Sequence, residues 1–414
     1  MRLTPRVEVD PGLALGEEAE VRGDGRRAAV IGGSLGGLTA ANLLRDDGWE
    51  VVVYEKSTVP LDGRGAGIVV HASTVRYLLE RMGLEIDAIS CPSSVLRYFD
   101  PDGAIIHEEP SPYRFTAWNT LYRNLLAGYG QRHLLGHTLC GLDADGDGPV
   151  ELRFANGVVD HADLVVAADG FDSTVRRRLF GTVEAMYSGY VGWRGLVAES
   201  DLTADTFELL ADAISYSVIP SSHIVAYPIP SVDGSVRPGE RLVNYVWYRN
   251  VAAGAELEEL MTGADGVPRS TSLHPGMVQA RFIDEMKAAA EQLAPPLTEV
   301  VQRTPEPFLQ VIQDIETPKM VMGRVALLGD GAFSARPHAA AGTAKAAEDG
   351  WKLIAALQAH DSVPDALLHW ETSQLELGRR LVERARDLGE RSQFRNTWRP
   401  GDPDLAFGLF GPGR

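Results

Sequence analysis

The sequence predicts an α/β fold: a nucleotide-binding domain built on a parallel sheet, interrupted by an inserted, mainly antiparallel β-sheet and closed by a C-terminal helix. Three observations predict this fold. A glycine-rich turn joins an apolar run to a helical pattern near residue 32, two later apolar runs end in an acid beside a glycine, and the middle of the chain alternates aromatic-rich runs with Pro, Ser and Gly turns.

The glycine-rich turn belongs to a βαβ pattern. Residues 28–31 are typical of a buried strand, residues 32–37 turn the chain, and apolar residues then recur at helical spacing as far as Gly48. Residues 51–54 resume the sheet. This order is Rossmann-like, and it directs backbone N–H groups and the positive end of a helix at a pyrophosphate.

An acid at the end of the second strand supports nucleotide binding, because it can accept a hydrogen bond from a ribose hydroxyl. Glu55 occupies that position, although Ser34 replaces the middle glycine of the GxGxxG pattern. The carboxylate would repel a 2′-phosphate, which disfavours NADP as the ligand of this turn and leaves NAD and FAD open. The candidate nucleotide-binding residues here are Gly32, Ser34, Leu35, Gly37, Glu55 and Lys56.

Composition excludes several classes of partner. The 414 residues carry a net charge of −18, which disfavours nucleic acid and anionic membranes as partners. Cys91 and Cys140 form no CxxC pattern, so neither a disulfide framework nor a metal site is expected. Residues 1–27 form a polar tail without the apolar core of a signal peptide, and a cytoplasmic location is expected. A homodimer is left open.

The first half of the chain continues with short elements. The loop after Glu55 carries Arg64, and residues 73–82 are expected to form a helix with Ser73 as its N-cap. Residues 95–100 and 104–107 indicate a hairpin, and residues 120–126 a helix that carries Arg123. A second hairpin, turning at an Asn-Gly pair, precedes a buried strand that ends at Asp169, where ligands of open α/β sheets bind.

The second half contains the inserted sheet and the return to the nucleotide-binding domain. Strands are expected at 191–197, 214–219, 224–229 and 242–248, helices near 277–293 and 297–303, and a strand at 325–328 that ends in Gly329-Asp330. Helices at 342–358 and 365–391 follow. The predicted division assigns 28–94, 116–186 and 316–391 to the nucleotide-binding domain, 95–115 and 187–315 to the sheet domain, and 392–414 to a C-terminal tail.

Taken together, the glycine turn with Glu55, the Asp169-Gly170 strand end and the Gly329-Asp330 segment resemble the FAD-dependent aromatic hydroxylases of the para-hydroxybenzoate hydroxylase type, the class A flavoprotein monooxygenases. The resemblance extends over residues 27–391. It implies a Rossmann-like FAD-binding domain, FAD as the cofactor and NAD(P)H as a transient reductant. No second GxGxxG pattern is present, which argues against disulfide reductases with two nucleotide domains.

The resemblance also implies roles for individual residues. Glu55 would bind the adenosine ribose, Arg123 would contact the cofactor, Asp169 would lie near FAD and the pyridine nucleotide, and Asp330 would bind the ribityl chain. A helix that begins near Gly342 would direct its positive end at the flavin pyrimidine ring. The other expected cofactor contacts are Arg64, Pro337, Ala341 and Thr343.

The chain departs from the common family pattern in two places. Gly329-Asp330 is followed by Gly331, Ala332 and Phe333 rather than Ala-Ala-His, and residues 340–344 replace Gly-x-Gly-x-Asn. With residues 192–195 and 401–408, the segment 336–342 looks most like the branch that contains 2,6-dihydroxypyridine 3-hydroxylase. The substrate is therefore expected to be an electron-rich aromatic or hydroxypyridine-type ring.

The implied chemistry is attack by a flavin C4a-hydroperoxide, formed from reduced FAD and O₂, on a ring that has lost a hydroxyl proton. The candidate catalytic bases are His338 and His223, and the candidate substrate contacts are Tyr216, Tyr227, Tyr245 and Arg336. For Arg194 two accounts stand, contact with an anionic group or a salt bridge within the sheet, and the salt bridge is favoured.

Two alternatives remain open at this stage. One is a flavin monooxygenase that tailors or degrades a larger polycyclic molecule, with the segment 257–271 framing a wider cavity. The other is a flavin-fold protein that binds an aromatic ligand without turnover. A flavin halogenase is disfavoured because the chain has no Trp-x-Trp-x-Ile-Pro stretch.

Overall fold

A computed structural model describes residues 25–414, apart from residues 64, 65, 128, 145, 147 and 182 and the side chain of residue 131. The predicted tail before residue 25 and the candidate cofactor contact Arg64 therefore lie outside the described residues. No helix in the described ranges combines the length and the apolar character needed to cross a membrane.

The described part of the chain contains helices and strands in mixed order. The helices are α1 (Leu35–Asp46), α2 (Ala72–Glu80), α3 (Ile86–Ile89), α4 (Trp118–Leu126), α5 (Thr174–Leu179), α6 (Ala204–Leu210), α7 (Ala255–Leu260), α8 (Ala280–Ala289), α9 (Pro295–Arg303), α10 (Gly342–Ala359) and α11 (Val363–Gln393). The strands are β1 (Arg27–Ile31), β2 (Glu50–Tyr54), β3 (Gly67–Val69), β4 (Cys91–Pro92), β5 (Val95–Phe99), β6 (Ile105–Pro110), β7 (Arg114–Ala117), β8 (His133–Leu134), β9 (Leu139–Asp143), β10 (Val150–Phe154), β11 (Val159–Ala162), β12 (Leu164–Ala167), β13 (Met186–Ala198), β14 (Ala213–Ile219), β15 (Ser222–Ile229), β16 (Leu242–Asn250), β17 (Ser272–Leu273), β18 (Phe308–Glu316), β19 (Val321–Met322), β20 (Val325–Leu327) and β21 (Phe333–Ser334).

A six-stranded sheet forms the nucleotide-binding half, in the order β19-β20-β12-β1-β2-β8. Strand β1 lies between β2 and β12, both parallel to it, and β20 is parallel to β12. Helices α1 and α10 pack against each other beside this sheet. The buried strands predicted at 28–31, 163–168 and 325–328 are thus neighbours, and their carboxyl ends meet at one edge.

A nine-stranded sheet forms the other half, in the order β17-β18-β13-β16-β15-β14-β5-β6, with β21 paired to β18. Its pairs are antiparallel except for the parallel pair of β5 and β14. The hairpin predicted near residues 95–107 is present and supplies the β5–β6 edge. The predicted fold class, an α/β domain with an inserted, mainly antiparallel sheet, is confirmed.

The two faces of the large sheet have different neighbours, because successive side chains of a strand point to opposite faces. On β16, Val243, Tyr245 and Trp247 are buried in an apolar cluster with side chains of α8 and α9. The intervening residues Val246 and Tyr248 belong to a different cluster, which includes residues of α11 and of the C-terminal segment. This second face borders the candidate site.

Two local expectations differ from the structure. Helix α2 begins at Ala72 with His71 at its N-cap, and the Ser73 hydroxyl donates to the Glu348 carboxylate at 2.6 Å instead of capping the helix. The segment 392–414, predicted to be a C-terminal tail, folds back on the large sheet, where Trp398 and Phe407 are 4% and 7% exposed. Its aromatic side chains therefore form part of the core.

Candidate active site

Two adjoining cavities lie where the glycine-rich turn meets the large sheet. The first, of about 390 Å³, is called the sheet cavity because residues of the large sheet form one wall. The second, of about 320 Å³, is called the turn cavity because it lies beside the turn after β1 and the end of β2. Ser34, Trp118, Ala168 and Gly170 line both cavities.

The turn cavity brings together many of the predicted nucleotide contacts. The buried Glu55 carboxylate accepts hydrogen bonds from the backbone N–H groups of Gly33 at 2.9 Å and Ser57 at 2.8 Å. These bonds hold the carboxylate at the end of β2, beside the turn. The predicted residues that line this cavity are Gly32, Ser34, Glu55, Lys56 and Asp169.

The turn itself has no room for side chains at two glycines. Gly32 has a φ of +105°, and a Cβ there would lie 2.3 Å from the carbonyl oxygen of Ala168. A Cβ on Gly37 would lie 2.0 Å from the carbonyl oxygen of Gly32. At Gly32 the turn therefore lies directly against the backbone that follows β12, and α1 begins at Leu35. This is the arrangement that a pyrophosphate requires.

Asp169 follows β12 and has one carboxylate oxygen to spare. Its Oδ2 accepts from the backbone N–H groups of Thr174 at 2.7 Å and Val175 at 3.1 Å. Its Oδ1 is buried and has no hydrogen-bond partner among the described residues. A buried acceptor without a partner is costly, and a ligand hydroxyl or N–H at the turn cavity would satisfy it.

A buried ion pair fixes the segment after β20. Asp349 Oδ2 accepts from the backbone N–H of Gly329 at 2.9 Å and from Lys345 Nζ at 2.7 Å, and both α10 side chains are almost fully buried. This pair holds the turn from which the Asp330 side chain opens into the sheet cavity. The protein packed around that opening raises the pKa of Asp330, and burial also raises the pKa of Asp349.

The N-terminus of α10 faces the sheet cavity. Ala340 takes a left-handed conformation with a φ of +53°, and the helix starts two residues later at Gly342. A Cβ on Gly342 would meet no atom within 4 Å, so this end of the helix is open. Its unpaired N–H groups and positive dipole suit an electronegative group. Pro337, Ala341, Gly342 and Thr343 line the cavity here, as do Leu35 and Gly37.

Both candidate catalytic histidines are buried beside the sheet cavity. His338 Nε2 lies 2.7 Å from the Tyr190 hydroxyl, and His223 Nδ1 is hydrogen-bonded to the Ser392 hydroxyl. The two imidazole centroids are 5.4 Å apart. Burial lowers the pKa of His223 to about 3 and that of His338 well below its usual value, so both rings are neutral at pH 7.

The three candidate tyrosines lie on two different faces of the large sheet. Tyr216 and Tyr227 line the sheet cavity, and burial raises the pKa of both, that of Tyr227 to about 12. Tyr245 lies on the opposite face, where a Cβ at Gly195 would lie 2.5 Å from its ring. Strand alternation turns it away from the cavity, so its predicted role in the pocket wall is wrong.

The two arginines of the sheet cavity differ in their partners. Arg336 is 6% exposed and its Nε lies 3.1 Å from Asp314 Oδ2, so its charge is compensated. Arg194 lines the same cavity and makes no salt bridge or hydrogen bond with any residue that the structure describes, and its Nε is buried. The salt bridge favoured for Arg194 from the sequence is therefore a wrong prediction.

Arg123 lines neither cavity. Its Nε lies 2.9 Å from Asp62 Oδ1, and its terminal nitrogen donates to the carbonyl of Val232 at 2.6 Å. The side chain is 46% exposed. The contacts of the guanidinium among the described residues are therefore at the surface, and its expected contact with the cofactor stays a prediction.

The sequence left Tyr248 open between the core and the pocket lining, and it did not assign Gln310, Trp398 or Phe407 to the pocket. Tyr248 and Gln310 line the sheet cavity from β16 and β18, and Trp398 and Phe407 line it from the C-terminal segment. Tyr248 lies on the same face of β16 as Val246, and strand alternation was the signal that could have assigned it. No local pattern indicates that Trp398 stacks on His223, with centroids 4.7 Å apart.

The chain is similar to known flavoproteins over most of its length. A family profile described as "FAD binding domain-like" matches residues 187–314. The 2,6-dihydroxypyridine 3-monooxygenase of Paenarthrobacter nicotinovorans is 39% identical over 92% of this chain and 96% of its own length. The 6-hydroxynicotinate 3-monooxygenase of Bordetella bronchiseptica is 27% identical over 92% and 94%. The solved structure of 2,6-dihydroxypyridine-3-hydroxylase from Arthrobacter nicotinovorans aligns with a TM-score of 0.87 at 38% identity, covering 92% of this chain and 96% of that one.

Proposed function

The chain belongs to the FAD-dependent aromatic hydroxylases, the class A flavoprotein monooxygenases, and from that membership we propose that it hydroxylates a small hydroxypyridine. It is an enzyme, an FAD-dependent monooxygenase that uses NAD(P)H and O₂. Two relatives support the substrate class, because their names specify a dihydroxypyridine and a hydroxynicotinate. The expected size of the substrate, a single ring, rests on the sheet cavity.

The described residues fit FAD. The side-chain-free turn at Gly32 and Gly37 would take the pyrophosphate, and Glu55 would accept from the adenosine ribose. Asp330 would bind the ribityl chain, and the open N-terminus of α10 would stabilise negative charge on the flavin ring. Bound FAD supplies the activation of O₂ after reduction by NAD(P)H.

The sheet cavity suits a single ring. Its volume of about 390 Å³ must also take the flavin ring, and Trp398 and Phe407 line it from the C-terminal segment. Aromatic side chains form much of the wall, and the neutral Tyr216 and Tyr227 offer hydroxyl groups. These features favour a small heteroaromatic ring over a polycyclic substrate.

One observation carries the proposal for the substrate hydroxyl. His338 Nδ1 is buried and has no hydrogen-bond partner among the described residues, whereas Nε2 is held by Tyr190. If Nε2 carries the proton and donates to the Tyr190 oxygen, Nδ1 is free to accept a hydrogen bond from a ring hydroxyl. We assign His338 this accepting role, with His223 as the second ring that borders the substrate.

The test is a visible spectrum of the purified protein followed by NADH or NADPH consumption with and without 2,6-dihydroxypyridine, 6-hydroxynicotinate and simple phenols. Flavin bands and faster nucleotide oxidation with a hydroxypyridine than with phenol support the proposal, provided a hydroxylated product forms. Faster oxidation with phenols alone, or acceleration by none of these rings, contradicts the hydroxypyridine assignment.

A further inference from the structure

We propose that Arg194 binds the ring oxyanion of the substrate and makes the enzyme selective for ring anions over uncharged rings of the same shape. The inference rests on the proposed function for the identity of the ring, but the charge preference can be tested without it. Arg194 lies near the middle of β13, opposite Val246 on β16 and Phe308 on β18.

Arg194 belongs to the wall of the sheet cavity. Its cross-strand neighbour Val246 lines the same cavity, as does Gln310 on β18. The positive charge of Arg194 also lowers the pKa of Tyr227 and Tyr248, against the larger opposite effect of burial. The guanidinium therefore lies among the groups that would surround a bound ring.

One charge in the wall of this cavity has no described partner of opposite charge beside it. Two arginines line the cavity. Arg336 is paired with Asp314 through its Nε, and its Nη1 lies 3.6 Å from Glu390 Oε1. The histidines are neutral. Among the described lining residues the carboxylate is Asp330, on the loop wall assigned to the ribityl chain. Arg194 alone among the described lining cations lacks a counter-charge.

A bound anion would supply the partner that Arg194 lacks. Arg194 is partly buried, and its buried Nε has no described partner to replace the water that it has lost. The planar N–H groups of a guanidinium form strong hydrogen bonds to oxyanions. The proposed reaction needs a ring made electron-rich by an oxyanion. Because the neutral histidines supply no positive charge, Arg194 is the group that offsets the charge of that oxyanion.

The experiment compares an anion with its uncharged counterpart in variants of the FAD-loaded enzyme. Ligand binding is measured at pH 8 from the change in the visible flavin spectrum, using 2,6-dihydroxypyridine against 2,6-dimethoxypyridine, and benzoate against benzamide. We expect Arg194→Gln to weaken binding of the anion of each pair at least about tenfold and binding of the uncharged partner less than about twofold. Arg194→Lys should retain part of the preference.

Arg249→Gln is the matched control. Arg249 lies on β16 of the same sheet, with its guanidinium 5.1 Å from the Trp247 ring, and it is absent from the lining of both cavities. The substitution changes the net charge by the same amount, so it should leave the anion preference intact. FAD content and the ligand-free spectrum should be unchanged in both glutamine variants.

The outcomes separate the two proposals. If 2,6-dihydroxypyridine fails to bind the unsubstituted enzyme while benzoate binds in preference to benzamide and loses that preference in Arg194→Gln, the substrate assignment is wrong and the role of Arg194 stands. If no anion binds more tightly than its uncharged partner, or if Arg194→Gln keeps the full preference, the role of Arg194 is wrong.

Discussion

The imidazole Nε2 of His338 lies 2.7 Å from the phenolic oxygen of Tyr190, and both side chains are buried. Burial raises the pKa of Tyr190, so the phenol stays protonated at neutral pH. This hydrogen bond fixes the orientation of His338 and leaves Nδ1 on the other side of the ring. Whether His338 acts on the substrate hydroxyl therefore depends on Tyr190.

Replacement of Tyr190 by Phe should lower kcat about five- to tenfold, because loss of one hydrogen bond of about 1 kcal/mol releases the orientation of His338. FAD binding should be unchanged. Turnover of 2,6-dihydroxypyridine is the measurement, with Tyr187→Phe as the control, since the Tyr187 hydroxyl donates to the Val251 carbonyl outside both cavities. Equal kcat in the two variants would remove Tyr190 from the mechanism.

Replacement of Lys345 by Met should destabilise the protein by about 3–5 kcal/mol, because it leaves Asp349 as a buried charge without its cation. Urea unfolding of the FAD-loaded protein measures this free energy. Lys352→Met on the exposed side of the same helix is the control, since its nitrogen lies 3.7 Å from Glu348 and the side chain is 55% exposed. A loss below 1 kcal/mol at Lys345 would contradict the structural role of the pair.

The sequence predicts a site residue when the pattern that indicates it lies within a short stretch of the chain. The glycine turn, Glu55 and Asp169 were found because their spacing is local and the βαβ unit imposes it. Residues brought together by tertiary packing left weaker signals. Tyr245 was misassigned because the phase of β16 was not used, although Trp247 two residues later packs on the same face.

The contact partners of Arg194 and Trp398 could not be predicted from the sequence. A sequence gives no account of whether a carboxylate lies beside an arginine in the middle of a sheet, and the favoured salt bridge was wrong for that reason. Trp398 stacks on His223 across a separation of 175 positions, in a segment whose Pro and Gly content is typical of a tail. Such contacts follow only from the docking of α11 and of the chain after it.

Acid should destabilise the protein from about pH 6.5 downwards. Burial lowers the pKa of His71, His133, His223 and His338. The unfolded chain binds protons at these histidines near pH 6.5 and the folded chain does not. The contribution of the neutral histidines to the free energy of unfolding is therefore complete above that pH and falls as the pH is lowered, for His223 until about pH 3. Each contributes up to about 1.4 kcal/mol per pH unit.

Urea unfolding between pH 8 and pH 5 measures how steeply the free energy of unfolding changes with pH. His223→Gln should reduce this slope by the equivalent of about one proton taken up on unfolding. Asp330 and Asp349 act in the opposite sense, because a raised pKa makes their contribution fall as pH rises, and they are unchanged in this comparison. An identical slope with and without His223 would contradict the neutral, buried state assigned to it.

Asp330→Ala should weaken FAD binding at least about tenfold, because it removes the carboxylate that opens into the sheet cavity after Gly329. Asp330→Asn should lose less, since the amide retains an acceptor oxygen. Titration of the apoprotein with FAD, followed by flavin fluorescence, gives the Kd. Asp361→Ala, on the exposed connection between α10 and α11, is the control. A normal yellow holoenzyme for Asp330→Ala would refute the assignment.

Trp398→Ala should uncouple NAD(P)H oxidation from hydroxylation while leaving FAD bound. The indole stacks on His223 at 4.7 Å, its N–H donates to the Tyr98 hydroxyl at 3.3 Å, and it lines the sheet cavity from the C-terminal segment. Its removal leaves a void that admits water to the reaction site. FAD should remain because Gly32 and Glu55, assigned to its pyrophosphate and adenosine ribose, line the turn cavity, and Trp398 does not. Hydrogen peroxide and hydroxylated product, measured per NAD(P)H consumed, report the coupling.

Phe410→Ala in the same segment, where the ring is 50% exposed, should stay coupled. Equal coupling in the two variants would show that the C-terminal segment does not seal the site.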